Sequence, residues 1–180
     1  MKIKNIFKEY VNASGKERQI GRYYASEISS IIKGYTKPKD FFVKREIDMT
    51  GVRNIMSGQA FEAELKRAFD TTKRPYEHEP KKEIKIEDFV IVVKPDFVME
   101  KMIIETKFPV RLGSPSEYLE RYKHQMECEY RAFDKPVYLG VFAHPFDLQL
   151  YPYHNNDKTW QEVVDAITHF HKKLCKLNKQ

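Results

Sequence analysis

Apolar residues along this chain change their spacing several times, and each change predicts an element. Met1 to Gly15 mixes Lys with Ile, Phe, Tyr and Val, and predicts a short leading helix. Ser26-Glu27-Ile28-Ser29-Ser30-Ile31-Ile32 follows the aromatic pair Tyr23-Tyr24 and predicts a helix that Gly34 ends. Lys37-Pro38-Lys39-Asp40 reads as a turn, Phe41 to Arg45 as the start of another short helix, and Asp48 to Gly51 as its break. From Val52 to Asp70, the residues Ile55, Phe61, Leu65, Ala68 and Phe69 fall mostly three and four apart, a helix with one stripe toward a core. Glu62 lies at the edge of that stripe, one turn after Gly58.

Beyond that helix the period shortens to two. Thr71 to Pro80 reads as a loop, and Ile84 and Ile86 alternate with charged residues as a half-exposed strand. Its natural partner is Phe89 to Val93, whose run Val90 to Val93 is β-branched and apolar on both faces. Met102-Ile103-Ile104 predicts a further strand, entered from the polar link Met99-Glu100-Lys101. After a loop over Phe108 to Pro115, helical spacing returns in Ser116 to Phe133 through Leu119, Tyr122, Met126 and Tyr130. Val137 to Phe142 is a strand with Leu148 to Tyr153 as its hairpin partner. Thr159-Trp160-Gln161-Glu162 has the form of a capping box opening a last helix on Val163, Val164, Ile167, Phe170, Leu174 and Leu177. Helices before, between and after a mixed set of strands describe an α/β fold around a central mixed sheet flanked by helices.

Composition narrows the class. With 180 residues, 41% hydrophobic and only 7 glycines, the chain suits one ordered domain over 1–180 rather than a disordered or low-complexity one. No apolar run approaches the ~20 residues that span a membrane, and Met1 to Ile20 is too polar for a signal peptide. Cys128 and Cys175 form no CxxC pair, so no zinc or disulfide framework is expected and an intracellular, cytoplasmic setting fits. The six histidines show no ligand spacing and read as surface or structural residues. A formal charge of +6 favours a polyanionic partner.

Chemistry concentrates in Lys94-Pro95-Asp96 and, nine residues after Asp96, Glu105-Thr106-Lys107. In an extended chain Glu105 and Lys107 point one way and Thr106 the other. If Asp96 ends the neighbouring strand, two carboxylates and one ammonium meet at one sheet end. Such a group offers hard oxygen ligands to a divalent cation and a cation beside the water to be activated.

This pattern resembles the PD-(D/E)xK nuclease superfamily, whose signature here is Pro95-Asp96 followed by Glu105-Thr106-Lys107. Element order is similar to its RecB-type branch, close to lambda exonuclease, the YqaJ-type viral recombination nucleases and the CRISPR-associated RecB-like nucleases. That branch carries a Gly, three residues, then a His or Glu on the helix before the sheet, as in Gly58-Gln59-Ala60-Phe61-Glu62. It also carries a Gln on the helix after the Lys, met by Gln125, with a Tyr four residues on; here Tyr130 stands five on. Arg22-Tyr23-Tyr24-Ala25-Ser26 resembles the opening of the recombination nucleases. The iron–sulfur cysteines of the CRISPR-associated relatives are missing.

The resemblance, which spans roughly Arg22 to Phe142, implies a restriction-endonuclease-like core and metal-dependent hydrolysis of DNA, with exonuclease action in recombination, repair or end processing. It implies Mg²⁺ or Mn²⁺ on Asp96 and Glu105, with Glu62 and the Thr106 carbonyl as further ligands. Lys107 would orient or help deprotonate the attacking water, or stabilise transition-state charge, and Gln125 would position substrate or water. Arg22, Ser26, Arg111, Arg121 and Tyr130 are the implied DNA contacts. Lys123 and Arg131 are further basic candidates, and Tyr23, Tyr24 or Tyr118 could stack on an unpaired base. A homo-oligomer, a recombination or single-strand-binding partner protein and a viral or phage origin are consistent with these relatives. A reading of another class is a catalytically silent DNA-binding or assembly subunit that keeps the fold.

Overall fold

A computed structural model describes residues 3–13, 18–43, 46–109, 113–144 and 147–179. Helix α1 (Ile3–Ala13) leads into strand β1 (Arg22–Tyr24) and helix α2 (Ala25–Ile32), where Gly34 takes φ +72° just past the end. A single 3₁₀ turn over Pro38–Asp40 follows, then α3 (Met49–Thr71), β2 (Tyr76–His78), β3 (Lys82–Ile86), β4 (Phe89–Val93), β5 (Phe97–Met99) and β6 (Ile103–Lys107). Helix α4 (Pro115–Phe133), the hairpin of β7 (Val137–His144) and β8 (Asp147–Tyr153), and α5 (Asp157–Leu177) complete the order.

The strands form two mixed sheets with helices against them, the α/β class that the residue pattern predicts. One has three strands in the order β1-β4-β3, and the other five in the order β2-β5-β6-β7-β8. They part at Pro95. A proline has no N–H to give a ladder, so β4 stops at Val93 and the chain crosses to the second sheet as β5. β6 and β7 run parallel, and α4 is the crossover that parallel pairing requires.

Helix α4 lies between both cores. Cys128 joins the cluster of Tyr23, Ile28, Phe41, Ile91, Ile167 and Leu174. Met126 joins that of Val98, Ile103, Leu139 and Val141, with Leu119, Tyr122 and Tyr130 packed around it as their spacing predicts.

Several expectations shift. Asp48 does not break a helix: it caps α3, its side chain accepting from Gly51 N at 2.7 Å. No helix follows Phe41 among the described residues; Phe41 is buried against Tyr23 and Phe170 at the end of the 3₁₀ turn, while Phe42 and Val43 are exposed, and Arg45 lies outside the described residues. The supposed loop Thr71 to Pro80 contains β2, which pairs with β5. Thr159 is not a cap: Asn156 is, through Lys158 N at 2.8 Å, and the capping box belongs to Ser114 and Glu117 on α4. The stripe of α3 is weaker than its spacing suggests, since only Val52 is buried and Ile55 and Ala68 are exposed.

Candidate active site

The turn at Pro95 fixes what comes next. Phe97 faces Ile104 and Val98 faces Ile103, so Asp96 falls beside Glu105 and Thr106 at the end of β6. Asp96 thus opens β5 rather than ending β4, and it still meets the strand as the sequence suggests. Its Oδ2 accepts from Thr106 N at 2.7 Å and from Thr106 Oγ1 at 2.6 Å. Side-chain alternation then puts Glu105 and Lys107 on the other face, where the Lys107 ammonium donates to Glu105 Oε1. The same Oε1 accepts from Gln125 Nε2, on α4, at 2.6 Å. Glu105 is 2% exposed, and its Oε2 has no hydrogen-bond partner among the described residues.

Glu62 reaches the cluster from α3 and interacts with Asp96 and Glu105. Burial, then Glu79 and Glu105, push its carboxyl above the ordinary range. Burial and the Glu105 carboxylate push Asp96 up to about 8, against the opposing charge of Lys107. Burial works against the Lys107 ammonium, but Glu105 and Asp96 outweigh it and hold the group charged above the usual lysine range. A half-buried site with more carboxyl groups than cations has one electrostatic demand, a further positive charge.

The donor set fits a hard divalent cation: carboxylate oxygens, no thiolate, and one buried oxygen lacking a partner. Among the described residues no three His, Cys, Asp or Glu side chains stand together in ligand geometry. The fit is therefore one of charge and donor type, with the Lys107 ammonium meeting Glu105 in the present arrangement.

Other expected residues are scattered. Arg121 lies with its guanidinium 5.5 Å from the Tyr122 ring, whose centroid is also 5.1 Å from Lys107 Nζ. Tyr122 therefore bridges Arg121 to the cluster. Arg22 is paired with Glu83 on β3. Ser26 is exposed in the first turn of α2, whose N-cap is Tyr24. Tyr130 packs around the core of the five-stranded sheet and meets Arg131, away from Gln125's face. Arg111 lies outside the described residues. Tyr23 and Tyr118 are buried, which removes both as base-stacking surfaces. Lys123 pairs with Glu120 and Glu162, and Arg131 with Glu127 and Asp157.

Three neighbours of the site were not singled out in sequence. Glu129, 1% exposed, accepts from Gln125 Nε2 at 2.9 Å. Four-residue spacing from Gln125 on one helix is the signal that would have found it. Glu79 N donates to Asp96 O at 3.0 Å. His78 Nε2, buried without a hydrogen bond, lies 4.0 Å from Glu62 Oε2. His78 ends β2 and Glu79 is the residue after it, both within a stretch where a loop was expected.

A mixed α/β fold with an acid–lysine cluster at a strand end is the architecture that the nuclease resemblance implies. Several solved structures share the fold. The protein SSO0001 matches with a TM-score of 0.67 at 14% identity, over 93% of this chain and 86% of that one. The alkaline exonuclease LHK-Exo from Laribacter hongkongensis matches with a TM-score of 0.61 at 13% identity, covering 97% of this chain and 96% of that one. That exonuclease has also been solved in complex with dAMP. A phage-related exonuclease from Haemophilus somnus 129PT matches at 0.50 and 14% identity, over 92% and 98% of the two chains. The sequence matches no protein-family profile and no curated protein. What is shared at such identities is the fold, and it is the fold of these exonucleases.

Proposed function

We propose that this chain is a metal-dependent deoxyribonuclease that hydrolyses phosphodiester bonds, working as an exonuclease on DNA ends. The observation that carries the reading is the Asp96–Glu105–Lys107 cluster, with Glu105 buried and its Oε2 left without a partner among the described residues. Exonucleases among the solved structures of the same fold support the substrate class.

Asp96 and Glu105 would hold Mg²⁺ or Mn²⁺, with Glu62 as a third ligand and the Thr106 carbonyl as a fourth. When bound, the cation supplies a Lewis acid that activates water and neutralises charge on the phosphate. Lys107 would orient or help deprotonate the attacking water, or stabilise transition-state charge; the carboxylates that hold it charged here, Glu105 and Asp96, are the ones the cation would take. Gln125 fixes Glu105 through Oε1. Thr106 holds Asp96 with two donors on Oδ2, and Glu62 interacts with the same carboxyl. Arg121 stands one aromatic ring from Lys107, suited to a phosphate of the same strand.

Cleavage of 5′-labelled and 3′-labelled linear duplex, single-stranded DNA and closed circles tests the reading, each with Mg²⁺, Mn²⁺ or EDTA. Linear DNA is expected to shorten only with metal while circles survive. Cutting of circles would make it an endonuclease, and binding without cleavage would make it a silent subunit.

A further inference from the structure

Glu129 stands four residues after Gln125, on the same face of α4 and one turn along. It is 1% exposed, and among the described residues its hydrogen bond is to Gln125. Burial and the charge of Glu105 push its carboxyl well above the ordinary range. A leucine would fill this space with no polar atom to satisfy, so a carboxyl here costs stability that packing does not require.

The Gln125 amide explains its use. Its nitrogen carries two hydrogens. One goes to Glu105 Oε1 at 2.6 Å and the other to Glu129 Oε1 at 2.9 Å. Remove the second acceptor and the bond to Glu105 alone holds the amide, so the NH₂ can tilt about it with one hydrogen left unmatched. With both acceptors in place the amide is fixed at two points.

We propose that Glu129 is a positioning residue for the candidate site. It holds the Gln125 amide so that Glu105 is gripped through Oε1 and keeps Oε2 for the cation. This rests on the nuclease reading given above.

Three variants test it: Glu129→Gln, which keeps an acceptor, and Glu129→Ala and Glu129→Leu, which do not. Leu also fills the space, so a folded protein is expected from at least one of the pair lacking the acceptor. Three readouts apply: the Gln125 side-chain NH₂ resonances in ¹⁵N spectra, Mn²⁺ affinity by calorimetry without DNA, and cleavage of linear DNA. In the wild type and Glu129→Gln the NH₂ pair is expected to be protected from exchange, with Mn²⁺ affinities within about threefold of each other. In Ala and Leu the protection is lost, Mn²⁺ binding weakens about 10–100-fold, and kcat falls with it. Unchanged NH₂ protection and Mn²⁺ affinity in folded Glu129→Leu would overturn the proposal, as would Glu129→Gln failing alongside it. A wild type that shows the protected NH₂ pair but neither binds Mn²⁺ nor cuts DNA overturns the cation part and with it the nuclease reading, while Glu129 still fixes Gln125.

Discussion

The two cores on either side of α4 treat polar groups in opposite ways. Around the three-stranded sheet even the buried polar atoms are matched: Tyr23 OH lies 2.8 Å from His171 Nδ1, inside a shell of Phe41, Phe89 and Phe170 rings. At the end of the five-stranded sheet, Glu105 and Glu129 each bury a carboxylate oxygen with no partner among the described residues. Unmatched buried oxygens and raised carboxyls are costs in a bare protein. A chain tolerates them where a ligand offsets them, which is what the proposed cation site would supply and the matched core does not need.

The largest effect expected is on chemistry. Lys107→Ala or Asp96→Ala should lower metal-dependent cleavage by about 10²–10⁴-fold, with the circular dichroism spectrum unchanged. Full activity in either variant would remove these residues from the mechanism and reduce the contrast to a structural accident.

Next comes stability on the matched side. Ile167 is fully buried against the three-stranded sheet, and Ile167→Ala should cost about 2–5 kcal/mol in urea unfolding. Loss of less than about 1 kcal/mol would mean that this core is loose.

At the unmatched end the sign reverses. Asp96→Asn replaces a carboxyl crowded by Glu105 and Glu62 with a neutral amide whose oxygen can still accept both bonds from Thr106. In EDTA it should gain stability on the order of 1 kcal/mol while losing activity. A lower melting temperature in EDTA would show instead that the carboxylate holds the sheet end together.

The unmatched end, not the contrast itself, is legible in the residues. β4 and β6 were legible because β-branched runs leave no other period, and the cluster because Pro95-Asp96 and Glu105-Thr106-Lys107 close across one short hairpin. Glu62 was legible through the resemblance, as the last residue of Gly58-Gln59-Ala60-Phe61-Glu62, since the stripe beside it is weak. Three things were not. β2 is three residues long between Pro75 and Pro80, too short for alternation to speak, so His78 passed as loop and Glu79, just beyond the strand, drew no notice. The split into two sheets depends on which strand each neighbour pairs with, and only Pro95 hinted at it. Glu129 stayed hidden because α4 is enclosed by both cores. His124, Gln125, Glu127, Cys128 and Glu129 are all buried, so no polar face marks which side meets the site.

The smallest expected effect lies between these regions, where α2, α4 and α5 meet. His124 is 3% exposed, with Nδ1 3.1 Å from Ser29 Oγ and Nε2 3.2 Å from Glu162 Oε2. Lys123 and Glu120 are the other charges facing it. Burial pulls the imidazole below its ordinary value, and Glu162 opposes that shift only in part. A base whose folded value is depressed is neutral in both states above the unfolded value near 6.5, and there the protein keeps its full stability. As pH falls from that value through the folded one, the unfolded chain takes up the proton first, and stability is lost. The loss should be small, because protonated Nδ1 can donate to Ser29 Oγ while that hydroxyl turns to the Arg121 carbonyl, 3.4 Å away. Urea unfolding of wild type and His124→Gln at pH 7.5 and 5 isolates the histidine's share from that of the carboxylates. The wild type should lose more stability than the variant on acidification, by a few tenths of a kcal/mol up to about 1 kcal/mol. Equal losses would show that this imidazole titrates alike in both states, and that the junction between the two cores is not sensitive to its charge.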